Sequence, residues 1–390
     1  MIIGIDATNL RQGGGRTHLI ELLRAANPDE QKFSRVVVWG ARSTLALLDE
    51  RDWLLKRNPK AQEKRLLSRI LWQRFSLSRE AREEGCDVLF IPGGSYSGSF
   101  HPVVGMSQNL LPFEWHELKR YGFTLATLKL LALRITQSLS FKRSDGLIFL
   151  TDYAKQGVEK VTGSLRAQKT VIAHGLNPRF LMADKKVLAR RLPKADEAIR
   201  LIYVSIVDQY KHQWHVVEAV AKAREQSGLD LQLDLIGPAY APALARLNKA
   251  IAEYDPQGEW ANYRGAIDYN DLHSLYSEAH VGIFASSCEN MPNILLETMA
   301  AGLPVLSSDR GPMPEILGDT GLYFDPEEPS SLAKALLQLL SSEDDIRRLA
   351  YAAHEKAKNY SWERCATETF GFLREIALAH PKKTQPESMS

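Results

Sequence analysis

The sequence predicts an α/β protein in two domains, each a mostly parallel sheet wound with helices, and three observations predict it. At 390 residues the chain is too long for one ordinary core and suits two domains of roughly 150 to 200 residues each. Short apolar runs rich in β-branched residues alternate with helical stretches from the first residue onward, as in a sheet buried on both faces. The alternation stops in a polar stretch containing Pro193 and then restarts. Residues 181–199 therefore read as a linker between domains at 1–180 and 200–360, followed by a helix at 361–380 and a disordered tail at 381–390.

In the first half, Ile2 to Ala7 is a buried strand, and Gly13-Gly14-Gly15 follows before a helix carrying Leu19, Ile20, Leu22 and Leu23. Glycines in such a loop let backbone amides approach a ligand closely. A dinucleotide-binding loop would need a third glycine where His18 stands and an acid after the strand Val36 to Trp39; both are missing, which argues against a dehydrogenase. Asp87 to Pro92 and Pro102 to Ser107 are further strands, the second ending at Gln108-Asn109. A helix over about Thr124 to Phe141 leads to the strand Gly146 to Thr151, where Thr151-Asp152 caps the next helix. Thr170 to Ala173 is the last strand of this half, turning at His174-Gly175.

The second half opens with the strand Leu201 to Val207, and Asp208 to His212 lead into a helix with Val216, Val217, Ala219 and Val220 inside. Leu231 to Ile236 is the next strand, and Tyr263-Arg264-Gly265 precedes a helix over Asn270 to Glu278. Val281 to Ala285 is a buried strand that ends in the polar loop Ser286 to Asn290. Pro292 suits the start of a helix with Ile294, Leu295, Thr298, Met299 and Ala301 on one face, closed by Gly302 and Pro304. The strand Pro304 to Ser308 follows. Beyond Pro326 the chain is helical.

Ligands of such sheets sit at the carboxyl ends of the strands, and Glu289 lies at one. Glu297 falls one turn into the following helix, so the two carboxylates flank the helix amino terminus. The amides around Met291, Pro292 and Asn293, with the helix dipole, favour a phosphate there, although Pro292 supplies no donor. A ligand with a central diphosphate and hydroxyl-bearing rings on either side is a nucleotide sugar. A bare pair of glutamates would be read as two solvated acids. With Gly302-Leu303-Pro304-Val305 and Gly311-Pro312-Met313-Pro314-Glu315-Ile316 in register, the stretch resembles the donor site of retaining glycosyltransferases of family 4, marked by two glutamates separated by seven residues.

The resemblance implies the GT-B fold: two Rossmann-like domains facing each other across a cleft, with a C-terminal helix crossing back to the first. It implies that Glu289 holds the transferred sugar, that Glu297 holds the ribose diol, and that Lys211 lies against the diphosphate. Asn290, Met291, Pro292 and Asn293 would surround the donor, and Arg264 stands in the place for the nucleobase. Gly14 and Gly15 would lie under the donor phosphate or beside the acceptor. Three departures stand out. Ile206 occupies the place of a diphosphate-binding arginine, so Arg16, Arg310 or added backbone amides compensate, or the leaving group is held less tightly. Gln108-Asn109 replaces a His-Asp pair that reaches the sugar, keeping hydrogen-bonding capacity without a titratable group. His174-Gly175 replaces Asn-Gly, which makes His174 either a contact from the hinge or a structural residue.

Hydrophobic content of 44% and charge of 25% are those of a globular protein. Cys86, Cys288 and Cys365 are odd in number and far apart, which argues against a disulfide frame and for a reducing compartment. No secretory leader is visible, and Lys129 and Arg134 interrupt the longest apolar helix candidate, so the expected location is the cytoplasm or, peripherally, the inner face of the cell membrane. The net charge of +2 hides an asymmetry: residues 1–180 hold 27 basic and 17 acidic side chains. Residues 56–82 alone hold nine basic and two acidic ones, with Leu66, Leu67, Ile70, Leu71 and Phe75 interleaved at helical spacing. Such a helix either packs its apolar face on its own sheet or lies against anionic lipid. No nucleic-acid motif accompanies the charge.

The expected reaction moves a sugar from a nucleoside diphosphate to a hydroxyl of a glycan or lipid-linked acceptor, with retention and with no metal or other cofactor. Its expected setting is bacterial surface polysaccharide assembly. No general base is evident, which fits a departing phosphate that takes the acceptor proton. Three rivals are a nucleotide-sugar 2-epimerase, a nucleotide-sugar-binding protein that has lost catalysis, and a phosphorylase. The first would want poised carboxylates and histidines, and the last a lysine for pyridoxal phosphate.

Overall fold

The computed structural model describes residues 1–11, 13–64, 66–182, 193 and 197–380. Most of the stretch read as a linker, and the tail at 381–390, lie outside the described residues. The chain divides into two compact units. The first comprises Met1–Phe113, Leu128–Gly175 and the chain from Trp362; the second comprises Glu114–Thr127 and Leu176–Ser361.

The first unit is built on parallel strands β1 (Ile2–Asp6), β2 (Arg35–Trp39), β3 (Leu54–Arg57), β4 (Val88–Ile91), β5 (Val103–Met106), β6 (Gly146–Phe149) and β7 (Gln168–Val171), in the order β3-β2-β1-β4-β5-β6-β7. Ile3, Ile5 and Val36 to Val38 are wholly buried, as a sheet covered on both faces requires. Strand order reverses between β1 and β4, so the loops after these two strands border a crevice.

Residues 56–82 do not form the single helix that their periodicity predicts. Strand β3 takes Lys56 and Arg57, and the rest is a 3-10 turn (Lys60–Glu63), an α-helix (Leu66–Trp72), a π-turn (Gln73–Leu77) and a second α-helix (Ser78–Glu83). The inward face is set by Glu80, whose carboxylate accepts from the indoles of both Trp39 and Trp72 at 2.9 Å. Trp72 and Leu77 join the core, while Leu67, Ile70, Leu71 and Phe75 remain exposed. Spacing defines a helix face, but only the sheet's partners decide which face turns inward.

The last helix, Trp362–Ala379, belongs to the first unit. A Cβ on Gly175 would lie 2.3 Å from the backbone nitrogen of Trp362, so glycine is what lets the two chain segments meet. Phe370 stacks on Phe33 with ring centroids 4.8 Å apart, and Gln168 donates to Glu375 at 2.7 Å.

The second unit holds parallel strands β8 (Ile199–Val204), β9 (Leu231–Ile236), β10 (Ala261–Tyr263), β11 (Val281–Phe284), β12 (Val305–Ser308) and β13 (Leu322–Phe324), ordered β10-β9-β8-β11-β12-β13. β10 and β13, three residues each, are too short to carry a periodic signal in the sequence. The order reverses between β8 and β11, which brings the loop holding Lys211 beside the loop holding Glu289. The helix Asn293–Ala300 is buried on nearly every side from Leu295 to Ala300, not on the single face that spacing predicts. The helix Glu343–Ala357 covers it from outside, with the His354 ring 2.8 Å from the Ala300 carbonyl.

Gly282 in β11 faces this helix: a Cβ there would come within 2.1 Å of Thr298 Cγ2. Gly282→Ala should therefore destabilise the second unit by about 2 kcal/mol through overpacking, lowering Tm by about 6 °C in a thermal unfolding scan. An unchanged Tm would show that the strand and helix can part without cost.

Candidate functional site

The centre of the site is the meeting of two loops in the second unit. After β8 the chain turns tightly, with the Lys211 amide donating to the Asp208 carbonyl at 3.1 Å. His212 then adopts a left-handed conformation, φ 52°, and starts the helix Gln213–Ser227. After β11 the chain runs through Ser286 and Ser287 toward Glu289. The Ser287 amide donates to the Tyr210 carbonyl at 2.8 Å, and Ser287 Oγ lies 2.9 Å from His212 Nε2. These bonds hold the loops together and bring the Lys211 ammonium into an ion pair with the Glu289 carboxylate.

Lys211 is 6% exposed, and its ammonium lies over the rings of Tyr210 and Phe284 at 5.1 and 5.4 Å. A charge so nearly buried needs the partner it has. The Tyr203 hydroxyl donates to the Lys211 carbonyl at 2.9 Å and fixes the backbone from below. Burial, and then the Glu289 charge, push the Cys288 thiol well up, so the one cysteine in this loop is inert as a nucleophile.

Glu297 stands one turn into the helix Asn293–Ala300, as its spacing predicts, but it is not a solvated acid. It is 4% exposed, and the Tyr269 hydroxyl donates to one carboxylate oxygen at 2.9 Å. Among the described residues the other oxygen has no partner. Burial pushes its pKa up to about 8, against the opposing pull of the Tyr269 hydrogen bond and the Arg179 charge. Arg179 lies over the Tyr269 ring at 5.3 Å and bonds Asn270. Asn290 and Met291 are buried between the two glutamates in sequence, Pro292 precedes the helix and Asn293 begins it. Gly311, in the loop after β12, has its Cβ position 3.8 Å from the Glu289 amide.

A segment from the first half of the sequence completes this unit. Glu117, in the helix Trp115–Lys119, is buried and accepts from Ser287 Oγ at 2.7 Å and from Arg120 at 2.7 Å. Arg120 also pairs with Glu327 at 2.9 Å, and the Tyr121 hydroxyl donates to Asp208 at 2.8 Å. Burial lowers the His212 pKa to about 2, with the positive charge of Arg120 acting in the same direction. At neutral pH His212 is therefore an uncharged hydrogen-bonding link to Ser287.

The structure thus brings Lys211, Glu289, Asn290, Met291, Pro292, Asn293 and Glu297 onto neighbouring loops of one unit. Arg264 belongs to the same unit but is half-exposed and held by Asp234 at 2.7 and 2.9 Å. Ile206 is 40% exposed. Arg310 is paired with Asp309 and Asp325. Gly14, Gly15, Arg16, Gln108, Asn109 and His174 belong to the first unit. There Gly15 packs on Gln108, whose Oε1 lies 2.7 Å from the position of a Cβ. Asn109 accepts from the Leu111 amide at 3.1 Å, and Arg16 donates to the Arg11 carbonyl at 3.0 Å. His174 is buried, its ring 4.6 Å from that of His18 and 5.8 Å from that of Trp362. Tyr269, Arg179, Glu117, Ser287 and His212 are structural neighbours of these side chains that sequence reasoning misses. Each is placed by a contact distant along the chain, and none carries a local motif.

Residues 184–356 match the family of glycosyl transferases group 1. The chain is 36% identical over 111 residues to the O-antigen chain mannosyltransferase B of Escherichia coli, 28% of this chain and 29% of that protein. It is 27% identical over 206 residues to the sulfoquinovosyl transferase SQD2 of Arabidopsis thaliana, 51% of this chain and 38% of that one. The chain therefore spans less than two fifths of the length of either relative. Among solved structures, sucrose-phosphate synthase from Thermosynechococcus elongatus superposes with a TM-score of 0.75 at 19% identity, over 97% of this chain and all of that one. HepE from Anabaena, solved with UDP and glucose, superposes with a TM-score of 0.67 at 15% identity, over 97% and 99% of the two chains. The match to glycosyl transferases group 1 thus falls on the second unit, and the chain as a whole has the GT-B fold.

Proposed function

We propose that this protein is a retaining, metal-independent glycosyltransferase. It would move a sugar from a nucleoside-diphosphate sugar to a hydroxyl of a glycan or lipid-linked acceptor, in assembly of a bacterial surface polysaccharide such as lipopolysaccharide. The observation that carries the reading is the Lys211–Glu289 ion pair at the strand-order reversal, with the buried Glu297 carboxylate one helical turn farther on. The mannosyltransferase named among the relatives supports the polysaccharide setting, and the UDP and glucose in the HepE structure support the donor class.

In this reading the donor's diphosphate meets the Lys211 ammonium and the amides that begin the helix Asn293–Ala300, which stabilise charge gathering on the leaving oxygen. Glu289, exchanging part of its pairing with Lys211 for sugar hydroxyls, orients the ring. Glu297 accepts from the ribose diol through the oxygen that lacks a protein partner. The bond from the anomeric carbon to the phosphate oxygen breaks, the acceptor oxygen bonds to the same face, and the acceptor proton passes to the departing phosphate. The exposed Ile206, in place of a cation, favours a second reading: a protein that binds the donor without turnover. Incubation with donor and a panel of acceptors separates the two.

Glu289→Ala and Glu297→Ala should each weaken binding of UDP or GDP sugars at least tenfold in titration calorimetry, with the circular dichroism of the parent. Lys211→Ala should lower kcat by about a hundredfold or more. Parental affinity in both glutamate variants would remove the basis of the reading. Turnover should persist in EDTA, and the product anomer, read by NMR, should match the donor.

Donor binding should also depend on pH. With its pKa raised to about 8, Glu297 is protonated in the empty site at neutral pH, whereas ribose hydroxyls that donate to it favour the ionised form. Binding should therefore release a proton, and affinity should rise with pH up to about 8 and level off above it. Glu297→Gln should flatten that profile. Calorimetry in buffers of different ionisation enthalpy measures the proton directly, and an enthalpy independent of buffer at pH 7 would contradict the assignment.

A further inference from the structure

Two helical segments of the first unit turn their apolar side chains outward. In residues 67–75, Leu67 is 75% exposed, Ile70 43%, Leu71 55% and Phe75 68%. In the helix Leu125–Arg143 the reversal goes further. Gln137 and Ser140 are buried beside Leu130 and Phe141, while Leu128 is 63% exposed, Ile135 61% and Leu139 49%. Positions 128, 132, 135 and 139 follow the spacing of a single helical stripe, so the exposed leucines and isoleucine form a row.

The two segments are neighbours, because both bond the loop that follows β4. Gln73 Nε2 donates to the Ser95 carbonyl at 2.9 Å, and Ser140 Oγ accepts from the Tyr96 amide at 2.7 Å. The two segments thus pack on one connection, the loop from β4 to β5. Cations surround them: Lys60, Lys64, Arg74 and Arg79 on one side, Lys129 and Lys142 on the other, all exposed.

Apolar side chains so exposed, in two adjacent rows, mark an interaction surface. A second copy of this chain would bring like charges together across the contact. An anionic bilayer takes both features at once, with cations at the level of the headgroups and leucine and phenylalanine side chains below them.

We propose that these two helical segments form one surface that seats on an anionic phospholipid bilayer, with Leu67, Leu71, Phe75, Leu128, Ile135 and Leu139 entering the acyl boundary. This deepens the reading of the acceptor as lipid-linked and rests on that reading for its biological sense. Vesicle binding needs neither donor nor acceptor, so either proposal can fail alone.

The test is flotation of the full chain with vesicles of phosphatidylcholine, with and without phosphatidylglycerol. The protein should float with the mixed vesicles and stay below with the pure ones. Leu67→Ser/Leu71→Ser/Phe75→Ser and Leu128→Ser/Ile135→Ser/Leu139→Ser should each cut binding at least tenfold, and Lys64→Glu/Arg74→Glu should cut it by roughly fivefold or more per cation. All three should keep parental circular dichroism and donor affinity, since none touches the donor-site residues. Absence of flotation with anionic vesicles overturns the proposal. So does loss in the first apolar variant with none in the second, which would reduce the surface to one segment. Conversion of a dimer to a monomer in sedimentation velocity, with flotation unchanged, would also overturn it by showing that a second copy covers these rows.

Discussion

A nearly buried ammonium must have a carboxylate beside it, and this requirement organises the second unit. Lys211 and Glu289 come from loops 78 residues apart in the chain, and either charge alone would be costly to hold at that depth. The backbone bond between Ser287 and Tyr210, the left-handed turn at His212 and the tie to Glu117 all keep the loops close enough for the pair to form. The same closeness leaves the pair at the carboxyl end of the sheet, where the diphosphate of the proposed donor would meet it.

Glu297 obeys a different constraint. It is held in an apolar helix with a tyrosine hydroxyl on one oxygen and no protein partner on the other. Burial in such surroundings disfavours the charged form by more than the one tyrosine hydrogen bond restores. The pair and the single acid therefore differ in kind: Glu289 has a cation beside it, whereas burial raises the pKa of Glu297 and only a tyrosine hydroxyl answers it. The tight seat of the helix Asn293–Ala300 on Gly282 fixes the helix that carries Glu297.

The first unit shares the parallel sheet but spends its unusual residues elsewhere. Its glycine loop and Gln108 pack against each other, and the His174 ring is stacked on Trp362 at the start of the final helix and tilted against His18. Its most distinctive surface is the pair of outward apolar rows on the segments that flank the loop after β4. The helix Leu125–Arg143 buries glutamine and serine while exposing leucine and isoleucine, and on the proposed surface these exposed side chains would meet lipid rather than water.

The sequence by itself determined the alternation of strands and helices in both halves, the loop and helix that carry Glu289 and Glu297, and the kinship of that stretch. Each of these is local: buried runs, helical spacing and proline or glycine at element ends report on the nearest few residues. Only the tertiary structure decided that Glu297 is buried, that Tyr269 bonds it, that Lys211 pairs with Glu289, and that residues 114–127 belong with the second unit. It also decided the outward face of residues 67–75, because Glu80 binds two indoles from different elements and so turns Trp72 inward. Periodicity describes a helix surface, whereas burial and pairing depend on what the rest of the chain brings against it.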